Sequence, residues 1–261
     1  MEQYDAPVSE HVDWTSYGAV LFDLDGVITP TAEIHERAWA ALFEPWGFTQ
    51  ADYLRYVDGK PRYDGVRSFL DARDVALPWG DPSDPPGDES VCALGNRKNE
   101  MFNAILERDG IAPYDGTLRV LELLDAHDVP QAIVSSSKNA RTVLTAARMT
   151  DRFPVIVDGL TAVEQDLAGK PDPAMFRHAA DRLGARSDRS IVVEDATSGV
   201  AAGAAGGFAL VLGVDRGGNA AALREAGADL VVADLGDTID DDHDDDHDDD
   251  HDDDHDGEAT R

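Results

Sequence analysis

LFDLDGVITP, residues 21–30, starts as a buried strand and ends as a turn. Val20, Leu21, Phe22 and Leu24 are apolar, and Gly26 breaks the run. Asp23 and Asp25 interrupt it with two carboxylates. An ionised carboxylate buried without a partner is strongly disfavoured or takes up a proton, so a strand end that carries two of them needs a reason for keeping both.

Runs of the same β-rich kind recur along the chain, at 18–26, 129–137, 154–159, 189–195, 208–214 and 229–235. Helix-like segments lie between them, at 117–127, 140–148, 174–183 and 196–206. Strand and helix alternating at this spacing predict a parallel sheet covered on both faces. Residues 34–110 break the alternation with helical patterns at 33–46, 50–57, 63–73 and 92–108 and no strand, which places a helical insert after the first strand. The Pro-, Gly- and Asp-rich stretch PWGDPSDPPGDES, residues 78–90, suits only a loop between two of those helices. The expected fold class is α/β, a Rossmann-like parallel-sheet core (17–33 and 111–236) with an inserted α-helical domain (34–110) and a disordered acidic tail (237–261).

Composition limits the partners. The 261 residues are 42% hydrophobic, enough for a sizeable core. The formal net charge is −31, of which residues 237–261 contribute −14 and the rest −17. Such a body repels nucleic acid and anionic membrane, so neither is an expected partner. The N-terminal stretch MEQYDAPVSEHVDW has neither the basic nor the apolar region of a signal peptide, and one cysteine, Cys92, fits a reducing compartment; a cytoplasmic location is expected. The tail repeats DDDH four times from Asp240. Poly-Asp repels itself and has nothing apolar to pack, so a solvated tail is favoured over a metal-binding helix of His243, His247, His251 and His255.

Of 22 basic residues only four are lysines, Lys60, Lys98, Lys138 and Lys170. A lysine kept in an arginine-rich chain suits places that need a compact ammonium, for instance on a phosphate.

In a parallel sheet, ligands collect beyond the carboxyl ends of the strands. Asp23 and Asp25 end the first predicted strand, Ser135 the second, and Glu194 and Asp195 the fourth; Lys170, in a GKPDP turn, can reach the same place. Several carboxylates in one crevice call for a cation, and hard oxygen ligands suit Mg²⁺, held by Asp23, the main-chain carbonyl of Asp25, and Asp195. With Lys170 and the Ser135 hydroxyl, such a site would hold a phosphoryl group, and one carboxylate can attack phosphorus while its neighbour moves a proton.

FDLDGV, the strand-end hydroxyl, GKPDP and VVEDATSGVAAGAAGG together resemble the four motifs of the haloacid dehalogenase superfamily of aspartate-nucleophile phosphotransferases, over residues 17–236. The resemblance implies Asp23 as nucleophile and Asp25 as general acid and base. It implies Ser135 and Lys170 as phosphate ligands, and Glu194 beside Asp195 at the metal. ITPTAEIHERAW, GKPRYDGVRSFL, NRKNE and SSSKN resemble the β-phosphoglucomutase branch, whose insert is a helical cap over the substrate. On that resemblance His35 and Trp39 line the cap side of a sugar-phosphate pocket, and Arg62 and Lys98 bind the phosphate not being transferred. Ser137, Lys138 and Asn139 would contact substrate from the core. The bland readings are a surface histidine at His35, a core tryptophan at Trp39, and an Arg62 paired with Asp58 or Asp64. The chain departs from the branch at Pro30, in the hinge, where an acidic residue is frequent.

The implied activity is a Mg²⁺-dependent mutase acting on a small-molecule sugar phosphate through an aspartyl phosphate. A sugar-phosphate phosphatase with the same residues is the alternative, and non-enzymatic metal binding by the tail is a reading of another class.

Overall fold

The computed structural model describes residues 11–57 and 60–239. Six strands form one sheet: β1 (Ala19–Phe22), β2 (Gln131–Val134), β3 (Val155–Val157), β4 (Ser190–Glu194), β5 (Leu210–Val214) and β6 (Leu230–Val232). Their order is β3-β2-β1-β4-β5-β6 and every neighbouring pair is parallel. Each lies inside a run expected from the sequence. The α/β class is thus the one observed.

Alternation along the strands sorts the core onto two faces. Val20, Phe22, Ile133, Ile191, Val193, Leu212 and Val214 pack in one cluster, and Leu21, Ala132, Val134, Val192 and Val211 in another. Strands buried on both sides read as continuous apolar runs, which is why they stand out in the sequence.

The helices are α1 (Thr31–Phe43), α2 (Gln50–Asp52, continued as a π turn to Val57), α3 (Arg62–Asp71), α4 (Val91–Asp109), α5 (Asp115–Ala126), α6 (Ala140–Ala146), α7 (Gly159–Glu164), α8 (Ala174–Leu183), α9 (Thr197–Gly206) and α10 (Ala220–Glu225). Helices α8, α9 and α10 cover the second face through Phe176, Ala179, Val200 and Leu223. Helices α5 and α6 cover the first through Leu121, Leu124, Val143 and Leu144.

A third cluster involves no strand. Trp39, Leu42, Phe43, Val66, Phe69, Leu70, Val91 and Leu94 pack together among α1, α3 and α4, with Phe43 and Phe69 stacked at 4.1 Å. Helices α1 and α4 serve two clusters, since Ile34, Ala38, Phe102 and Leu106 join the first face of the sheet. The loop before α4 is tied by its own acids: Asp84 accepts from Ser90 Oγ at 2.6 Å, and Asn96 donates to the carbonyl of Asp84 at 2.9 Å.

Helices α7 and α10 lie outside the helical segments read from the sequence, and α7 exposes Leu160 and Val163 and so lacks an amphipathic signature. Residues 237–239, read from the sequence as the start of the disordered tail, are among the described residues and are ordered. Leu235–Thr238 form a 3-10 turn, Thr238 is buried, and its hydroxyl accepts from Trp14 Nε1 at 3.0 Å. The DDDH repeat lies outside the described residues. Among the described residues, no helix is long and apolar enough to cross a membrane.

Candidate active site

The strand order reverses direction at β1, so a crevice opens between the carboxyl ends of β1 and β4. Phe22 and Val193 are ladder partners, and the next residues on each strand, Asp23 and Glu194, emerge side by side. Lys170 Nζ lies between them, 2.5 Å from Asp23 Oδ1 and 2.5 Å from Glu194 Oε1, and also donates to the carbonyl of Val134 at 2.8 Å. Burial opposes the ammonium, yet the charges of Asp23 and Glu194 outweigh it and hold its pKa above the ordinary lysine value.

One ammonium does not neutralise the cluster. Asp23, Glu194 and Asp195 bring carboxylate oxygens within 4.8 Å of one another. Burial, then the neighbouring carboxylates, raises the pKa of Asp195, and burial with Asp23 raises that of Glu194 against the pull of Lys170. This set fits a hard divalent cation, which would satisfy the oxygens together. Within it Glu194 is the most committed member, since its Oε2 also accepts from Ala196 N at 3.0 Å. Two glycines make the approach possible. A Cβ on Gly26, at φ +79°, would stand 1.8 Å from Asp195 Oδ2, and one on Gly199 would stand 1.7 Å from Glu194 Oε1.

Asp25 stands apart from that acid cluster. Its carboxylate accepts from the hydroxyl of Thr31, the first residue of α1. Burial, reinforced by Asp23, pushes its pKa up to about 6 despite that bond. A carboxyl poised there is suited to exchange a proton near neutrality. The turn behind it is tight: Ile28 N and Thr29 N both donate to Leu24 O at 3.0 Å, and Gly26 N donates to Thr29 O at 2.8 Å. Pro30 closes the turn as the residue before α1, at φ −78°. Ser135 is buried past the end of β2, where its Oγ accepts from Ser137 N at 3.0 Å.

A second polar group lies on the helical side. Lys98 is buried and its Nζ is 2.5 Å from His35 Nδ1, while His35 stacks on Phe102 at 4.3 Å. Burial, then the charges of Lys98 and Arg62, holds the His35 pKa well below its usual range, which favours the neutral imidazole. Burial and Arg62 bring Lys98 down to about 7. Trp39 belongs to the third cluster, and its ring supports Lys98 Nζ at 5.1 Å.

Arg62 Nη2 donates to Asn99 Oδ1 at 2.8 Å, and Asn139 Nδ2 donates to the same oxygen at 2.6 Å. Ser137 Oγ accepts from Asn139 N at 3.1 Å. Lys138 is exposed on the same loop, its chain passing over Gly159. Lys60, grouped with the other lysines by its sequence neighbours, is exposed and donates to Ser68 Oγ at 2.7 Å instead. Thr31 and Asn99 were not singled out from the sequence. Both lie inside the segments ITPTA and NRKNE, and only the fold shows which side chain of each segment turns inward.

The family model for haloacid dehalogenase-like hydrolases matches residues 17–207. The β-phosphoglucomutase of Mycobacterium bovis is 47% identical over 239 residues, covering 85% of this chain and 91% of its own. Hexitol phosphatase A of Escherichia coli is 29% identical, over 72% of this chain and 78% of its own. The crystal structure of β-phosphoglucomutase from Clostridium difficile superposes with a TM-score of 0.67 at 25% identity, covering 84% of this chain and 92% of that one.

Proposed function

The chain belongs to the haloacid dehalogenase-like hydrolase family, and we propose that it is a β-phosphoglucomutase, interconverting β-glucose 1-phosphate and glucose 6-phosphate through a bisphosphate. The observation that carries this reading is the presence of two cationic groups, Lys170 beside Asp23 on the sheet and Arg62 with Lys98 on the helical side. A substrate with two anionic ends needs both.

Asp23 is the nucleophile. Lys170 occupies its Oδ1, which leaves Oδ2 to attack phosphorus. The cycle starts from the aspartyl phosphate: the free hydroxyl of the sugar monophosphate attacks phosphorus, the bond from Asp23 Oδ2 to phosphorus breaks, and Asp25 takes the hydroxyl proton, giving the bisphosphate. After the sugar turns over, Asp23 Oδ2 attacks phosphorus at the other end, the bond to that sugar oxygen breaks, and Asp25 returns the proton to it, which regenerates the aspartyl phosphate. Lys170 and Ser135 hold the phosphoryl oxygens. Arg62 and Lys98 anchor the phosphate not in transit, with Ser137, Lys138 and Asn139 on the core side.

Asp23, Asp195 and the main-chain carbonyl of Asp25, with Glu194 behind them, would hold Mg²⁺, which neutralises charge on the transferring phosphoryl group when bound. Residues 34–110 act as a cap on the core formed by 17–33 and 111–236, a division supported by the third hydrophobic cluster. Closure excludes water, without which the aspartyl phosphate would hydrolyse. We place the enzyme in the cytoplasm, in keeping with its lone, unpaired and buried Cys92.

Incubation with β-glucose 1-phosphate, Mg²⁺ and a trace of the bisphosphate tests the reading. Glucose 6-phosphate without matching free phosphate is expected. Stoichiometric phosphate release would instead establish a phosphatase, the activity named for one of its relatives.

A further inference from the structure

The loop DRGGN, residues 215–219, follows β5 and plays no part in the chemistry above. It reaches both sides of the acidic crevice. Arg216 Nε donates to the carbonyl of Gly26 at 2.9 Å, and Asn219 Nδ2 donates to the carbonyl of Asp195 at 3.2 Å. Gly26 follows Asp25 directly, and its Cα is the surface against which the Asp195 carboxylate rests. One five-residue loop therefore hydrogen-bonds to both sides of the β1–β4 crevice, at Gly26 and at Asp195.

The loop is itself braced. Asp215 Oδ1 accepts from Asn219 N at 2.8 Å and Gly217 N at 3.2 Å. The Arg216 guanidinium lies 3.6 Å from the centre of the Tyr114 ring, and its Nη1 donates to Asp234 Oδ2 and to the carbonyl of Ala233, each at 3.2 Å. Tyr114 in turn donates from its main chain to Ile28 O at 3.0 Å, on the turn that carries Gly26. Two features separate this arrangement from simple packing. Arg216 Nη2 and Asn219 Oδ1 are buried with no hydrogen-bond partner among the described residues. An apolar side chain would cover Tyr114 without leaving such atoms, whereas donors at these two places are what the carbonyls of Gly26 and Asp195 require.

We propose that Arg216 and Asn219 are positioning residues that set the separation of the Asp25–Gly26 turn from Asp195, and with it the affinity of the acidic site for a divalent cation. The proposal rests on the reading of Asp23, Asp25 and Asp195 given above. Partners one step behind a metal site are worth about 10–100-fold in metal affinity or activity.

The test uses the full chain with Arg216→Ala, Arg216→Lys and Asn219→Ala. Mg²⁺ binding is measured by calorimetry without substrate, beside kcat, KM for β-glucose 1-phosphate, and thermal unfolding. Arg216→Ala and Asn219→Ala are expected to weaken Mg²⁺ binding and lower kcat by about tenfold each, with KM changed less than about threefold. Arg216→Lys, which can still donate to Gly26 but cannot reproduce the stacked fork, falls between. Folded variants with wild-type Mg²⁺ affinity and kcat, or an effect on unfolding alone, would overturn the proposal, as would a wild type that binds no Mg²⁺. If Arg216→Ala does not fold, Asn219→Ala, which gives up a single bond, decides. A wild type that binds Mg²⁺ but leaves the sugar phosphate unchanged refutes the mutase reading, while the calorimetric comparison still judges the loop.

Discussion

Asn139, on the loop after β2, donates to Asn99 of α4 at 2.6 Å, and the oxygen that receives it also receives Arg62. A guanidinium on the helical side is thereby tied to the core before any ligand arrives. Removing a hydrogen bond to a charged group costs about 1.5–3 kcal/mol, so Arg62→Ala should raise KM about 10–100-fold. Asn99→Ala unseats Arg62 without deleting its charge and should raise KM only about fivefold. Steady-state kinetics check both, and an equal effect from the two variants would contradict this division of labour.

Lys98 gives a pH dependence with a definite sign. Its pKa of about 7 in the free protein is brought down first by burial and then by Arg62. A bound phosphate dianion favours the ammonium and raises that pKa. Between the two values binding takes up a proton, so affinity should fall as pH rises from about 7 towards 9, where the substrate phosphate is already doubly ionised. Calorimetry in two buffers of different ionisation enthalpy measures the uptake. Lys98→Met should abolish it, and its persistence in that variant would assign the proton elsewhere.

Gly199 is a sharp test of the Glu194–Lys170 pair. Alanine is normally preferred to glycine in a helix by about 1 kcal/mol. Here its Cβ would sit 1.7 Å from Oε1 of Glu194, a carboxylate held by Lys170 at Oε1 and by Ala196 N at Oε2. Displacing one partner of a buried pair costs about 3–5 kcal/mol, so the clash outweighs the propensity. Gly199→Ala should therefore lower the unfolding midpoint and the activity together. An unchanged midpoint would show that Glu194 can move freely.

Truncation separates the tail from the fold. Ending the chain after Ile239 should leave turnover unaltered, because no proposed site residue lies beyond it. Ending it after Gly236 removes the buried Thr238 and its bond to Trp14, and should cost about 1 kcal/mol of stability. Loss of turnover in the first variant would make the DDDH repeat a participant.

The strands were legible because both sheet faces are covered, which writes each as an apolar run ending in a polar residue, as at Asp23, Ser135 and Glu194. The partners of those residues were less so. Nothing local to Lys170 says that it lies between Asp23 and Glu194, and nothing local to Lys60 says that Ser68 takes it instead. Arg216 meets Gly26 across 190 positions of chain, a contact created by the order of strands β1, β4 and β5 rather than by any motif. Asn99 and Thr31 sat within informative segments, but which side chain of a helix turns inward depends on the packing of α1 against α4.

In the proposed cycle Asp23 carries the phosphoryl group. Protein mixed with the bisphosphate and Mg²⁺, quenched in acid and analysed by peptide mass spectrometry, should show a single phosphoryl adduct on the peptide containing Asp23, absent from Asp23→Asn. An adduct on another residue, or phosphoryl transfer retained in Asp23→Asn, would rule out Asp23 as the nucleophile.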